Sequence, residues 1–394
     1  MATQTPGNRL LLRTTEKESL EPLTASTKPT SLHLSIPSLS LSKTVLEGGI
    51  ESYFQLPCTF SIKGLRDCGR FYGVWCLGER EKLLREPVED VEIDPNMTLL
   101  DLIDMYGRIH GFMAGHLARA TRILCSCLDA DLRILTFTAN LVATGLRGIF
   151  AQLLREGIFN LVITTCGSID HDIARSTGGR YYKGYFETDD RMLYELNIHR
   201  LGNVYIPVED YGSRIEKFVY DVLRELEDRE YGVYEILWEI GKRLDDKNSI
   251  LRVAYERKVP IIVPGYLDGA FGTALYTYYN VHRKPKINAF LDEQVLADRF
   301  FKPGKTMALI VGGGISKHHT IWWAQFREGL DCAVYITTAV EYDGSLSGAQ
   351  PREAISWGKI RPEANTTVVY GDATIVVPLI TAALLSEWRK RKTS

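Results

Sequence analysis

Trp357-Gly358-Lys359 sets one lysine beside a large aromatic, in a chain that otherwise spaces its lysines along charged faces. A lysine amine acts as a nucleophile only when deprotonated, and apolar burial favours that form by pulling the pKa below its free value of about 10.4. Such an amine forms an imine with a carbonyl or imine carbon. The plain alternative is a helix lysine whose stem lies along a tryptophan. Glu353 stands about one and a half helical turns before Lys359. Further upstream, Lys317-His318-His319 follows the glycines Gly312-Gly313-Gly314. Adjacent histidines face different sides of a helix, so a single neutral imidazole moving a proton fits better than a shared metal.

These residues need a scaffold, and the pattern from Arg80 onward supplies one. Short β-branched runs at Arg133–Phe137, Leu161–Thr165, Pro260–Val263, Met307–Val311, Ala333–Thr337 and Thr367–Tyr370 alternate with helical stretches. Those stretches are Leu141–Glu156, Ile215–Glu227, Tyr231–Arg243, Gly269–Tyr279, Lys317–Arg327 and Ala373–Arg389, preceded by a helix, whole or broken, over Met97–Leu128. Strands without in–out alternation, joined by helices, predict a parallel sheet with helices on both faces, in one large α/β domain.

Small and polar residues follow each strand: Asn140, then Thr165 and Gly167, Asp268, Gly313, Thr338 with Ala339, and Asp372 with Ala373. Ligands of open α/β sheets bind at these carboxyl ends. Glycine lets the backbone approach a pyrophosphate, the next helix N-terminus favours its charge, and Asp268 or Asp372 could accept from ribose hydroxyls. A dinucleotide cofactor is therefore expected, although both the GxGxxG fingerprint and the phosphate-binding GxxxxGK[ST] are absent.

Composition bounds the partners. The 394 residues carry a net charge of −2, 45% apolar and 24% charged side chains, which argues against a nucleic-acid or anionic-membrane surface. No apolar run reaches the roughly 18 residues of a membrane span. Seven cysteines without a CxxC pair indicate neither zinc nor a disulfide framework, and a cytoplasmic setting is the default. Residues 1–79, rich in Ser, Thr, Leu and Pro without clean periodicity, read as a poorly ordered or misassigned extension.

Taken in order, Gly312-Gly313-Gly314-Ile315-Ser316-Lys317-His318-His319, Glu341-Tyr342-Asp343-Gly344-Ser345 and Glu353-Ala354-Ile355-Ser356-Trp357-Gly358-Lys359 resemble the deoxyhypusine synthase family. The resemblance runs from about Arg80 to Leu385 and is nearer the archaeal branch. It implies a Rossmann-like NAD-binding fold. It also implies a transferase that uses NAD to oxidise spermidine and passes its aminobutyl group, through an enzyme-lysine imine, to a lysine of the precursor of translation initiation factor 5A. Lys359 would be the imine-forming lysine and His318 the proton carrier. Glu353, Trp357, Tyr335, Gly344, Asp170 and His171 would meet the substrate. Asn140, Thr165, Gly167, Asp268, Gly313, Thr338, Ala339, Asp372 and Ala373 would contact NAD. A homotetramer with active sites between subunits is implied as well. The chain departs from the pattern where His171, Thr273 and Leu346 replace family carboxylates and Trp322 replaces an asparagine. Two other readings stay open: transfer to a small amine, as in homospermidine synthase, and a non-catalytic NAD-binding subunit.

Overall fold

The structure is a computed structural model that describes Arg80 and residues 82–393; the expected extension at residues 1–79 lies outside them. Six strands build its central sheet, five of them short and almost wholly buried: β1 Leu132–Phe137, β2 Leu161–Ile163, β3 Ile261–Ile262, β4 Thr306–Val311 and β5 Leu330–Thr337, with the longer, partly exposed edge strand β6 Ile360–Tyr370. All neighbours run parallel, in the order β3-β2-β1-β4-β5-β6. The chain thus works outward from β1 in one direction and from β4 in the other. That leaves a crevice at the carboxyl ends of β1 and β4, where doubly wound sheets take their ligands.

Successive side chains of a strand point to opposite faces, and here both faces are apolar. Leu135, Phe137, Leu309, Val311, Val334 and Ile336 join one core cluster with most of the helices. Ile134, Ile163, Ala308, Ile310, Ala333 and Tyr335 join a second cluster with parts of the helices Phe290–Phe300, Gly314–Ala324 and Pro351–Ile355. Helices therefore cover both faces, and all six expected strands fall in this one sheet.

The helical expectations hold with two breaks. Met97–Leu128 divides into Leu99–Ile109 and Met113–Ser126, and Leu141–Glu156 into Ala139–Val142 and Leu146–Arg155. Cys166–Ser176, Ile250–Arg257 and Phe290–Phe300 escaped the sequence reading, as did the shorter helices Asp190–Glu195 and Pro351–Ile355. So did an antiparallel sheet of Tyr182–Lys183, Ile198–Leu201 and Val204–Pro207. The expectation of no disulfide is corrected too, since Cys127 and Cys332 are joined in the core. A separation of 205 residues left no spacing signal to reveal the pair.

Candidate active site

Lys359 owes its position to the end of the helix Pro351–Ile355. Gly358 adopts φ 66°, a left-handed conformation that glycine takes without steric cost. The Lys359 N–H then donates to Ala354 O (3.0 Å) and the Gly358 N–H to Ile355 O (2.9 Å). This pair of reverse bonds is the Schellman cap, which turns the chain back on the helix it leaves. The glycine between Trp357 and Lys359 is thus what folds the lysine inward, to 8% exposure, while Trp357 stays mostly outside.

The turn opens onto a cavity of about 310 Å³ on the second-cluster face of the sheet. Lys359, His318, Tyr335, Glu353 and Trp357, all expected at the site, line it together. The Lys359 Nζ lies 5.1 Å from the Trp357 ring centroid and 5.6 Å from that of Trp322. His318 and His319 point to different places, as their adjacency requires. His318 lines the cavity and stacks on Trp322, with centroids 5.9 Å apart and planes at 22°. Burial, with the Lys359 ammonium nearby, lowers the His318 pKa and favours the neutral imidazole. His319 turns toward Glu293, its Nε2 3.3 Å from the carboxylate, and burial pushes its pKa down to about 4.

The Lys317 amine was not assigned a role from sequence, and the bonding state of the expected Tyr335 was not readable there. The Lys317 side chain is 1% exposed, and its Nζ donates to Leu346 O and Ala349 O, both at 2.7 Å. Burial pulls its pKa to about 8, against an opposing pull from Glu353. Its partners come from the loop after β5, so no local spacing announces them. Tyr335, in mid-strand, buries its hydroxyl beside the same cavity without a hydrogen-bond partner in the fold; burial raises its pKa.

The small residues after each strand sit at the carboxyl edge, as expected. The helix beginning at Gly314 has Gly313 as N-cap and the one beginning at Cys166 has Thr165, and neither cap closes the helix end with a side-chain bond. A Cβ at Gly313 would run into Ser347, and one at Gly167 would come within 2.8 Å of the Ala139 Cβ, so both turns are packed closely. Asp372 spends one carboxylate oxygen on the Thr374 N–H and hydroxyl, both at 2.7 Å.

Three expected substrate residues stand apart from the Lys359 cavity. Asp170 is buried, accepting from the Ala270 N–H (2.9 Å), the Phe271 N–H (2.7 Å) and the Tyr211 hydroxyl (3.2 Å). It therefore fastens the first turn of the helix Ala270–His282 beside Asp268. His171 bonds the Tyr181 hydroxyl at 2.8 Å, and burial pushes its pKa to about 4. Gly344 lies on an exposed loop at φ 76°. Of the residues replacing family carboxylates, Leu346 lines the Lys359 cavity; Thr273 is exposed on the helix Ala270–His282.

The site is thus an inward-folded lysine between two indoles, at the edge of a doubly wound α/β sheet. Comparison with known proteins gives the family. The deoxyhypusine synthase family model matches residues 101–384. The probable deoxyhypusine synthase of Ignicoccus hospitalis is 56% identical over 316 residues, covering 79% of this chain and 99% of its own. That of Sulfurisphaera tokodaii is 55% identical over 310 residues, covering 78% and 99%. A crystal structure of a deoxyhypusine synthase candidate from Entamoeba histolytica shares the fold, with TM-score 0.54, 20% identity, and coverage of 76% of this chain and 97% of its own. The chain belongs to the deoxyhypusine synthase family.

Proposed function

We propose that the chain is a deoxyhypusine synthase, a transferase that moves the aminobutyl group of spermidine to one lysine of the translation initiation factor 5A precursor. The observation that carries this reading is the Lys359 amine, turned into a cavity that also holds one carboxylate, one imidazole favoured in its neutral form and two indoles. Spermidine enters as a flexible cation. Glu353 takes an ammonium end, Trp357 covers the methylene chain, and Tyr335 offers its unpaired hydroxyl from the floor. Lys359 attacks the oxidised aminobutyl carbon, 1,3-diaminopropane leaves, and the imine nitrogen stays on the enzyme until the acceptor lysine displaces it. His318 carries protons between the nitrogens, since a neutral imidazole can accept one at physiological pH.

NAD, when bound, would supply the hydride acceptor for oxidation of the amine carbon and the hydride donor for the final reduction. The residues fit such a cofactor. Asn140 and Gly313 flank the crevice between β1 and β4, with Thr165, Gly167, Asp268, Thr338, Ala339, Asp372 and Ala373 along the same edge. The helix ends at Thr165 and Gly313 keep backbone N–H groups for a pyrophosphate. This is the Rossmann-like reading of the fold, with residues 80–390 as the catalytic domain.

A homotetramer in the cytoplasm is the setting we propose, with Asp170 and His171 of one subunit serving a site that another completes. No helix among the described residues is long and apolar enough to cross a membrane. Offering labelled spermidine and NAD with the factor precursor, and separately with putrescine, tests the acceptor. Label in a precursor lysine supports the reading; label in putrescine alone overturns it.

A further inference from the structure

Among the side chains lining the Lys359 cavity, ionisable groups are unevenly shared. Lys317 and Lys359 bring two amines and Glu353 the one carboxylate. A polyamine entering such a space meets little negative charge, and burying an ammonium without a partner is costly. The cavity does hold ring faces. Trp322 follows His318 by one helical turn on Gly314–Ala324, while Trp357 comes from the cap after Pro351–Ile355. Both indoles approach the same point, with the Lys359 Nζ 5.6 Å from one centroid and 5.1 Å from the other. Indole faces carry negative quadrupole density and attract cations within about 6 Å. The Leu346 and Ala349 carbonyls beside the cavity already accept from Lys317.

We propose that Trp322 is a specificity-determining residue, forming with Trp357 a two-indole cage for the amine nitrogen that reacts at Lys359. The cavity then selects a linear aliphatic amine by ring faces and one carboxylate, in place of several carboxylates. The inference rests on the reading of this cavity as the amine site. It assigns Trp322 a second effect as well, since its stacked indole fixes the plane of the His318 imidazole. A ring face carries no net charge, so the cage contributes binding that salt screens less than an exposed ion pair.

Titration calorimetry of spermidine into the NAD-loaded protein tests this, using wild type, Trp322→Phe and Trp322→Ala at low and high salt. Trp322 is 44% exposed, so the variants are expected to fold, and melting curves check that they do. Trp322→Ala should weaken spermidine about 3–30-fold and Trp322→Phe less than about 3-fold, the range of a cation–π contact. In steady state the loss should fall on KM more than on kcat. Equal affinity in Trp322→Ala and wild type, or a Phe variant as weak as the Ala variant, overturns the cage. Wild type that binds spermidine but transfers nothing, with Trp322→Ala still weakened, would leave the cage standing and remove the proposed reaction. No amine binding by wild type would remove the cage itself.

Discussion

Replacing Lys317 with methionine tests the cost of its buried charge. The ammonium is held at 1% exposure by two carbonyls, and burial moves its pKa from 10.5 to about 8. A difference of that size is worth about 3 kcal/mol. The sign follows from which state holds the proton. Between pH 8 and 10.5 the unfolded chain keeps a proton that the folded chain has lost, so this group makes stability rise with pH. Below pH 8 both states are protonated and its cost is fully present. In Lys317→Met that dependence vanishes, while Leu346 O and Ala349 O lose their donor at about 1–3 kcal/mol each. At pH 7 relief and loss largely offset one another. At pH 10 the wild type has gained about 2–3 kcal/mol that the variant cannot. Urea unfolding of both proteins at pH 7, 8, 9 and 10, at one protein concentration, measures the difference directly, because other titrating groups cancel. A stability gap that stays constant across the series would refute the claim that Lys317 is a buried cation tuned by its surroundings.

Three other outcomes follow. Glu353→Gln should raise the spermidine KM about 5–30-fold, a charged hydrogen bond discounted for an exposed site, and should flatten the salt dependence of KM. Asp170→Asn should weaken NAD binding measured by titration, because the carboxylate that fixes the helix start beside Asp268 is gone, and should cost about 1–2 kcal/mol in stability. Cys127→Ala should lower stability by about 2–4 kcal/mol, and a reductant should bring the unfolded-state benefit of the wild type down to the same level in thermal melts.

The sheet was legible because strands buried on both faces leave runs without in–out alternation, as Thr306–Val311 does with every residue buried. The helix Cys166–Ser176 was not, because polarity and burial disagree along it. Ser168, Asp170, His171 and Asp172 are all buried, with Asp172 paired at 2.6 Å to Arg147 of another helix. A hydrophobic period cannot register a polar residue whose partner lies 25 positions away. Ile250–Arg257, capped by Ser249, is only 8 residues long and shows too few turns for a period to emerge. At the site, Trp357, Glu353 and Lys359 were readable because one cap and one short helix hold them. The cavity they share with His318 and Tyr335 depends on β4 and β5 lying side by side, which only the fold supplies. Asp170, expected as a substrate contact, also accepts from two backbone N–H groups about 100 positions away, a structural role that no local spacing announces.

The most direct test of the account asks which lysine forms the imine. Incubation with spermidine and NAD, reduction with borohydride and peptide mapping by mass spectrometry should place an aminobutyl adduct on Lys359, and Lys359→Arg should abolish both adduct and transfer. An adduct on Lys317, or full transfer by Lys359→Arg, would contradict it.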